Sequence, residues 1–191
     1  MLFDTHCHLN FDDFENDREE IIGHCLSNDV WMINVGADYE TSEKAIKIAE
    51  KYEKGVYASV ALHPHNVGNL PAVEAGEKFD IKKFKELAKN SKVVAIGECG
   101  LDYAFCENDE EIQKLQQKVF VEHLKLAKEV NKPIIIHSRR LFPEILSIIQ
   151  NSKFWTWGLA LLYGSLVLCR GISEIGILYQ FYRFNHLCSR L

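Results

Sequence analysis

Short unbroken apolar runs alternate with longer stretches in which apolar residues recur every three or four positions, from the start of the chain to about residue 153. An unbroken run marks a strand buried on both faces, and the three-to-four spacing marks an amphipathic helix. Residues 2–5, 31–35, 56–62, 93–96 and 133–136 read as strands. The helices fall between and after them. Residues 14–27 place Phe14, Ile21, Ile22, Cys25 and Leu26 on one side, and residues 39–54 do the same with Ala45, Ile46, Ile48, Ala49 and Tyr52. Ile81, Phe84, Leu87 and Ala88 define a helix over 81–88, and a long stripe from Ile112 through Val119, Phe120 and Leu124 to Ala127 defines one over 110–130. Residues 143–149 form the last, with Pro143 tolerated in its first turn.

Strands that alternate with helices, and that are apolar throughout, predict a parallel sheet covered by helices. A doubly wound sheet would carry a Gly-rich phosphate turn after an early strand, whereas the turns here hold His, Asp and Glu, in the manner of a (β/α)₈ barrel. A complete barrel takes about 250 residues. The expected fold is therefore α/β: a partial TIM-type (β/α) barrel over residues 1–153, about five of eight units, followed by a hydrophobic tail over 154–191.

Composition acts mainly by exclusion. With 47% hydrophobic and 26% charged residues, the chain is an ordinary globular one, and its net charge of -5 leaves no basic footprint. Contact with nucleic acid would then be local and metal-assisted rather than a broad electrostatic surface. Cys7, Cys25, Cys99, Cys106, Cys169 and Cys188 show no CxxC, and the opening Met1-Leu2-Phe3-Asp4 has neither the basic nor the apolar region of a signal peptide. A cytoplasmic protein with free thiols is expected.

The candidate chemistry sits where the strands end. In Asp4-Thr5-His6-Cys7-His8 the strand period puts His6 and His8 on one face, so that two imidazoles can reach one cation while Cys7 points away. By itself the pair reads equally well as two polar residues at a strand end. Glu98 follows a buried strand between Gly97 and Gly100, where a carboxylate is costly unless paired or metal-bound; a helix cap or ion pair is the competing role, for which Asp102 is better placed. His137 follows Ile134-Ile135-Ile136, and as the third such group on one rim it is better explained by a shared metal centre than as a core histidine. His63, in Leu62-His63-Pro64-His65, is either a ligand, a group that orients a substrate phosphate, or a hydrogen-bond partner of the ligands. Arg139 and Arg140 form an adjacent cationic pair at this rim, suited to bidentate phosphate recognition, or else to a solvated helix start. His24 and His123 fall within helices as surface or structural residues.

DTHCHL at 4–9, ALHPH at 61–65, VVAIGECGLDY at 93–103 and PIIIHSR at 133–139 together resemble the TatD family of metal-dependent deoxyribonucleases, within the amidohydrolase-like barrel superfamily. The resemblance covers residues 1 to about 153, in the family's order and spacing. It implies a barrel holding one or two divalent metals, with His6 and His8 on the first, Glu98 bridging both as the catalytic carboxylate, and His137 on the second. It also implies DNA or another phosphodiester as substrate, for which His63 and Arg139, from their chemistry and place at the rim, are the expected substrate-binding residues. Mixed His and carboxylate ligands suit Mg, Mn or Zn.

The departures from the family lie at Arg140, where it usually has Asp, and in the tail. The family's later His-Cys-Phe motif and metal-binding Asp are not found here. Residues 154–191 contain no Lys, Asp or Pro, one acidic residue (Glu174) and eight aromatics. Their longest uncharged stretch, 154–169, is 16 residues and falls short of the roughly 20 needed to span a bilayer. On paper, a one-base shift of permitted codons turns Trp-Gly-Leu-Ala-Leu-Leu-Tyr-Gly-Ser at 157–165 into GVLHCFTG, which contains the family motif. The expectation is therefore an out-of-frame tail, open edges on the first and fifth strands, and an impaired deoxyribonuclease. The alternative is an inactive remnant acting at most as a metal-binding or interaction module.

Overall fold

The computed structural model describes residues 1–68 and 79–152, and the backbone alone of 157–162 and 165–170. The strands are β1 (Leu2–Cys7), β2 (Val30–Val35), β3 (Val56–Val60), β4 (Val93–Leu101) and β5 (Ile134–Ser138). They alternate with α1 (Arg18–Ser27), α2 (Tyr39–Glu50), α3 (Ile81–Ala88), α4 (Glu110–Val130) and α5 (Phe142–Asn151). β1 to β5 pair in sequence order, each parallel to the next. This is the half-barrel of strands and helices that the apolar pattern calls for.

Two layers of packing hold it. On one face of the sheet Val30, Met32 and Val56 pack with Ile22 and Cys25 of α1 and Ile48 and Ala49 of α2. Further along, Val60, Ile96, Ile134 and Ile136 meet Phe84 of α3 and Phe120 and Leu124 of α4. On the other face Ile33, Val35, Ala95 and Ile135 form a helix-free cluster with Phe3 and Tyr57, which corresponds to the interior of a barrel. Burying side chains on both faces requires continuous apolar strands, as their composition indicates.

The helix starts follow from short polar side chains that satisfy otherwise unpaired backbone amides. Asp38 and Thr41 form a reciprocal capping box at α2, and Asp109 accepts from the Ile112 amide at α4. α4 closes on Asn131 in the left-handed conformation, at φ 54°. α1 begins four residues later than its apolar spacing suggests, because Asp12–Phe14 forms a separate 3₁₀ turn. Arg18 ties that turn to the end of β1 by donating to the carbonyls of Leu9 and Phe11.

β4 is longer than expected, continuing past Ile96 to Leu101. Its glycines do not end the strand. A Cβ on Gly97 would lie 2.5 Å from the Ile135 carbonyl oxygen, so glycine permits the close approach of β5 there. The β4–β5 register shifts between Ile96 and Cys99, within the segment that carries Glu98.

The tail differs from expectation at β5. Its outer edge is not bare: β6 (Trp157–Leu162) and β7 (Ser165–Arg170) form an antiparallel pair, and β7 runs antiparallel to β5 from Ile134↔Leu168 to His137↔Ser165. β1 pairs with β2 alone among the described residues. The shifted-codon reading of 157–165 concerns side chains outside the described residues, as does most of the tail. Among the described residues no helix is long and apolar enough to cross a membrane.

Candidate metal centre

All the strand-end candidates lie on one rim, at the carboxyl ends of the parallel strands. β1 carries His6 and is followed by His8, β3 is followed by His63, β4 holds Glu98 and is followed by Asp102, and β5 carries His137 and is followed by Arg139. This is the end of a β/α barrel from which reactive side chains project.

Glu98 is the hub. It is only 6% exposed, and its two carboxylate oxygens serve different partners. Oε2 lies 3.1 Å from His6 Nε2 and 3.8 Å from His63 Nε2, while Oε1 lies 2.9 Å from His137 Nδ1. His6 Nε2 is also 3.2 Å from His8 Nε2. Two groups result, His6–His8–Glu98 and His63–Glu98–His137, each with potential ligand atoms within 4.8 Å of one another. Imidazole nitrogens beside a shared carboxylate suit a divalent cation, so the residues present fit the metal that the motifs suggest.

The backbone around each ring decides which nitrogen is available. His8 Nδ1 lies 3.1 Å from the Val35 carbonyl, which can only accept, so the Nδ1–H is committed and the neutral ring keeps its Nε2 lone pair. His63 is the opposite case. Its Nδ1 accepts from the His65 amide at 3.1 Å, so the neutral ring carries its proton on Nε2, facing Glu98. His63 is thus prepared as a donor rather than a ligand. Asp102 Oδ2 accepts from His137 Nε2 at 3.1 Å, and leaves Nδ1 to Glu98. At β1, Asp4 Oδ1 accepts from the His6 amide at 3.1 Å, where the register with β2 shifts.

The electrostatics follow from burial and these contacts. For Glu98, burial would raise the pKa, but hydrogen bonds from His137 and His6, with His63 nearby, outweigh it and hold the carboxyl well below its usual range. His137 is pulled down by burial, yet Glu98 and Asp102 together raise it above the ordinary histidine value. Burial dominates at His63 and takes it to about 4, against partial opposition from Glu98, so this ring is neutral near pH 7. Burial also raises the thiols of Cys7 and Cys99, which makes them inert packing groups at the rim.

Three residues play larger parts than their sequence positions suggest. Asp102, read as a cap, does cap the Ala104 amide at 3.1 Å, but its second oxygen holds His137. Gln116 and His123 are buried within α4 and reach the loops of the rim. Both fall on that helix's apolar stripe, where a polar residue needs a buried partner, and this was the available signal. Arg139 is half-exposed, its Nε 3.4 Å from Asp102 Oδ2 and its guanidinium over the Phe105 ring. Arg140 adopts φ 62° and the described structure shows no role for it.

Histidines and carboxylates gathered at the strand ends of parallel β/α units are groups suited to bind a divalent cation. The profile described as TatD related DNase matches residues 3–159, and the chain belongs to that family. The uncharacterized metal-dependent hydrolase YabD of Bacillus subtilis is 40% identical over 151 residues, covering 78% of this chain and 55% of its own length. The 3'-5' ssDNA/RNA exonuclease TatD of Cronobacter sakazakii is 31% identical over 150 residues, covering 78% of this chain and 53% of its own. The crystal structure of YJJV, a TatD homolog from Escherichia coli, superposes with a TM-score of 0.66 at 29% identity, covering 79% of this chain and 56% of that one. The chain thus spans about half the length of the curated relatives it matches.

Proposed function

We propose that this chain carries the phosphodiester-cleaving site of a metal-dependent nuclease, with His6, His8, Glu98 and His137 as the seat of one or two divalent cations. The observation that carries the reading is the division of Glu98 between two histidine groups, one oxygen to each. A divalent cation bound there would lower the pKa of a water molecule and stabilise charge on a phosphoryl oxygen. The protein's own groups set the stage. Val35 holds His8 with Nε2 turned into the site, Asp102 orients His137, and Glu98 supplies negative charge to both seats. His63 presents an Nε2–H to a substrate phosphate, and the guanidinium of Arg139 offers charge-assisted hydrogen bonds at the outer edge. The likeness to the 3'-5' ssDNA/RNA exonuclease TatD of Cronobacter sakazakii supports single-stranded nucleic acid as the substrate class.

End-labelled single-stranded DNA incubated with the full chain and Mn²⁺ tests this. Cleavage that chelator and Glu98→Ala both abolish supports the nuclease reading, and cleavage that survives Glu98→Ala overturns it. A second reading, a metal-binding module without catalysis, is favoured by one observation: the His65 amide makes His63 a donor rather than a ligand, which leaves the second group with only Glu98 and His137 to hold a cation. Folded protein that takes up Mn²⁺ but leaves DNA intact would establish it. The family portion is proposed to reach about residue 153, the match itself running to 159, and the rest of the chain is proposed to be out of frame, which resequencing of the locus tests.

A further inference from the structure

α4 carries two polar side chains on the stripe that it buries. Gln116 is 1% exposed and His123 is fully buried, and they lie seven residues apart, two helical turns along one face. Neither reaches the candidate ligands. Each reaches the backbone beside them.

His123 takes the first point. Its Nδ1 donates to the Val119 carbonyl at 2.8 Å, so Nε2 of the neutral ring is the acceptor for the Leu62 amide at 3.0 Å. Leu62 is buried and lies beyond the end of β3, where the β3–β4 pairing has stopped. A tilted contact with Phe79, at 4.5 Å between centroids and 36° between planes, packs the ring further. Gln116 takes the second point. Its Nε2 donates to the carbonyls of Pro64 and Asp102, both at 3.0 Å, and its Oε1 accepts from the Asp102 amide at 2.9 Å.

Leu62 and Pro64 flank His63. One helix therefore grips the chain on both sides of that histidine, and with the same glutamine grips the backbone of Asp102, the residue that orients His137. We propose that Gln116 and His123 are positioning residues, a two-point clamp by which α4 sets the His63 Nε2–H against Glu98 and registers it with Asp102. Burial takes the His123 pKa to about 4, so near pH 7 the ring stays neutral and remains an acceptor. The clamp rests on the proposed site in one respect only, that His63 donates to substrate; its geometric half stands without that.

The test uses the full chain, ¹⁵N-labelled at histidine, as wild type, His123→Leu, His123→Gln and Gln116→Leu, with His63→Asn for assignment. Glutamine at 123 keeps both an acceptor and a donor. Three readouts apply: the His63 ring resonances, which report its tautomer; Mn²⁺ affinity by calorimetry; and affinity for a short single-stranded oligonucleotide at saturating Mn²⁺. His123→Gln is expected to keep the wild-type His63 signals and oligonucleotide affinity within about twofold. In folded His123→Leu and Gln116→Leu the Nε2–H signature is expected to be lost, with oligonucleotide binding weakened about tenfold and Mn²⁺ affinity unchanged. Unaltered His63 signals in the leucine variants overturn the clamp, as do displaced signals in folded His123→Gln. If the leucine variants do not fold, His123→Gln decides on the same signals. Wild type that takes no Mn²⁺ refutes the proposed metal site instead, while the His63 signals still judge the clamp.

Discussion

A side-chain carbon on Gly100 would stand 2.1 Å from the carbonyl oxygen of His137. No folded protein tolerates that contact, and Gly100 also adopts φ +152°, a conformation costly for any residue with a Cβ. Gly100→Ala is therefore expected to push β4 from β5 and move His137 away from Glu98. A loss of about 2 kcal/mol or more should appear in urea unfolding, with cation binding weakened. Gly23→Ala is the control, since nothing lies within 4 Å of a Cβ on that exposed glycine of α1. It should stabilise by about 0.5–1 kcal/mol.

Cations that bind only the folded chain should raise its unfolding midpoint. At free Mn²⁺ one hundred times its dissociation constant the gain is about 2.7 kcal/mol, a shift of about 5 °C or more for a chain of this size. A chelator is expected to reverse the shift, and Glu98→Gln to remove most of it. Thermal melts with and without Mn²⁺ measure both. An equal shift in Glu98→Gln would place the binding elsewhere.

Acid should loosen the fold through His123. Its pKa is depressed from 6.5 to about 4 by burial, so between those values the unfolded chain binds more protons and stability rises with pH. The contribution is complete above about pH 6.5 and fades as pH falls toward 4, by an amount on the order of 3 kcal/mol. Urea midpoints for wild type and His123→Gln should converge as pH is lowered from 7 to 4.5. Parallel curves would contradict the assignment.

Arg139→Ala should separate binding from stability. The side chain is 51% exposed, and an ion pair so open to solvent contributes under about 1 kcal/mol to folding. Urea unfolding is expected to change by no more than that. If the guanidinium meets a substrate phosphate, oligonucleotide affinity at fixed salt should fall about tenfold, or about 1.4 kcal/mol. Unchanged affinity would remove Arg139 from the substrate path.

The central strands are legible because β2, β3 and β4 are buried almost throughout, and the strand-end motifs point to His6, His8, Glu98 and His137 from residue type and spacing alone. The full length of β4 is not, because Gly97 and Gly100 punctuate a chain read locally, and only the proximity of β5 shows them to be spacers. Asp102 was half legible: its cap is a local bond, whereas its grip on His137 spans 35 residues. The tautomers of His8 and His63 depend on the Val35 carbonyl and the His65 amide, and so on folded backbone rather than residue type. β5's antiparallel neighbour was missed because the tail has no clean apolar period.

Were two cations to bind at the proposed site, the one carboxylate facing both histidine groups could not serve them alike. Whichever ion arrived first would withdraw part of the Glu98 charge from the other seat and add a positive neighbour besides. Occupancy would then rise in two separated steps, a tight one and a weak one, and the protein at low cation concentration would be a singly loaded species rather than a mixture of empty and full.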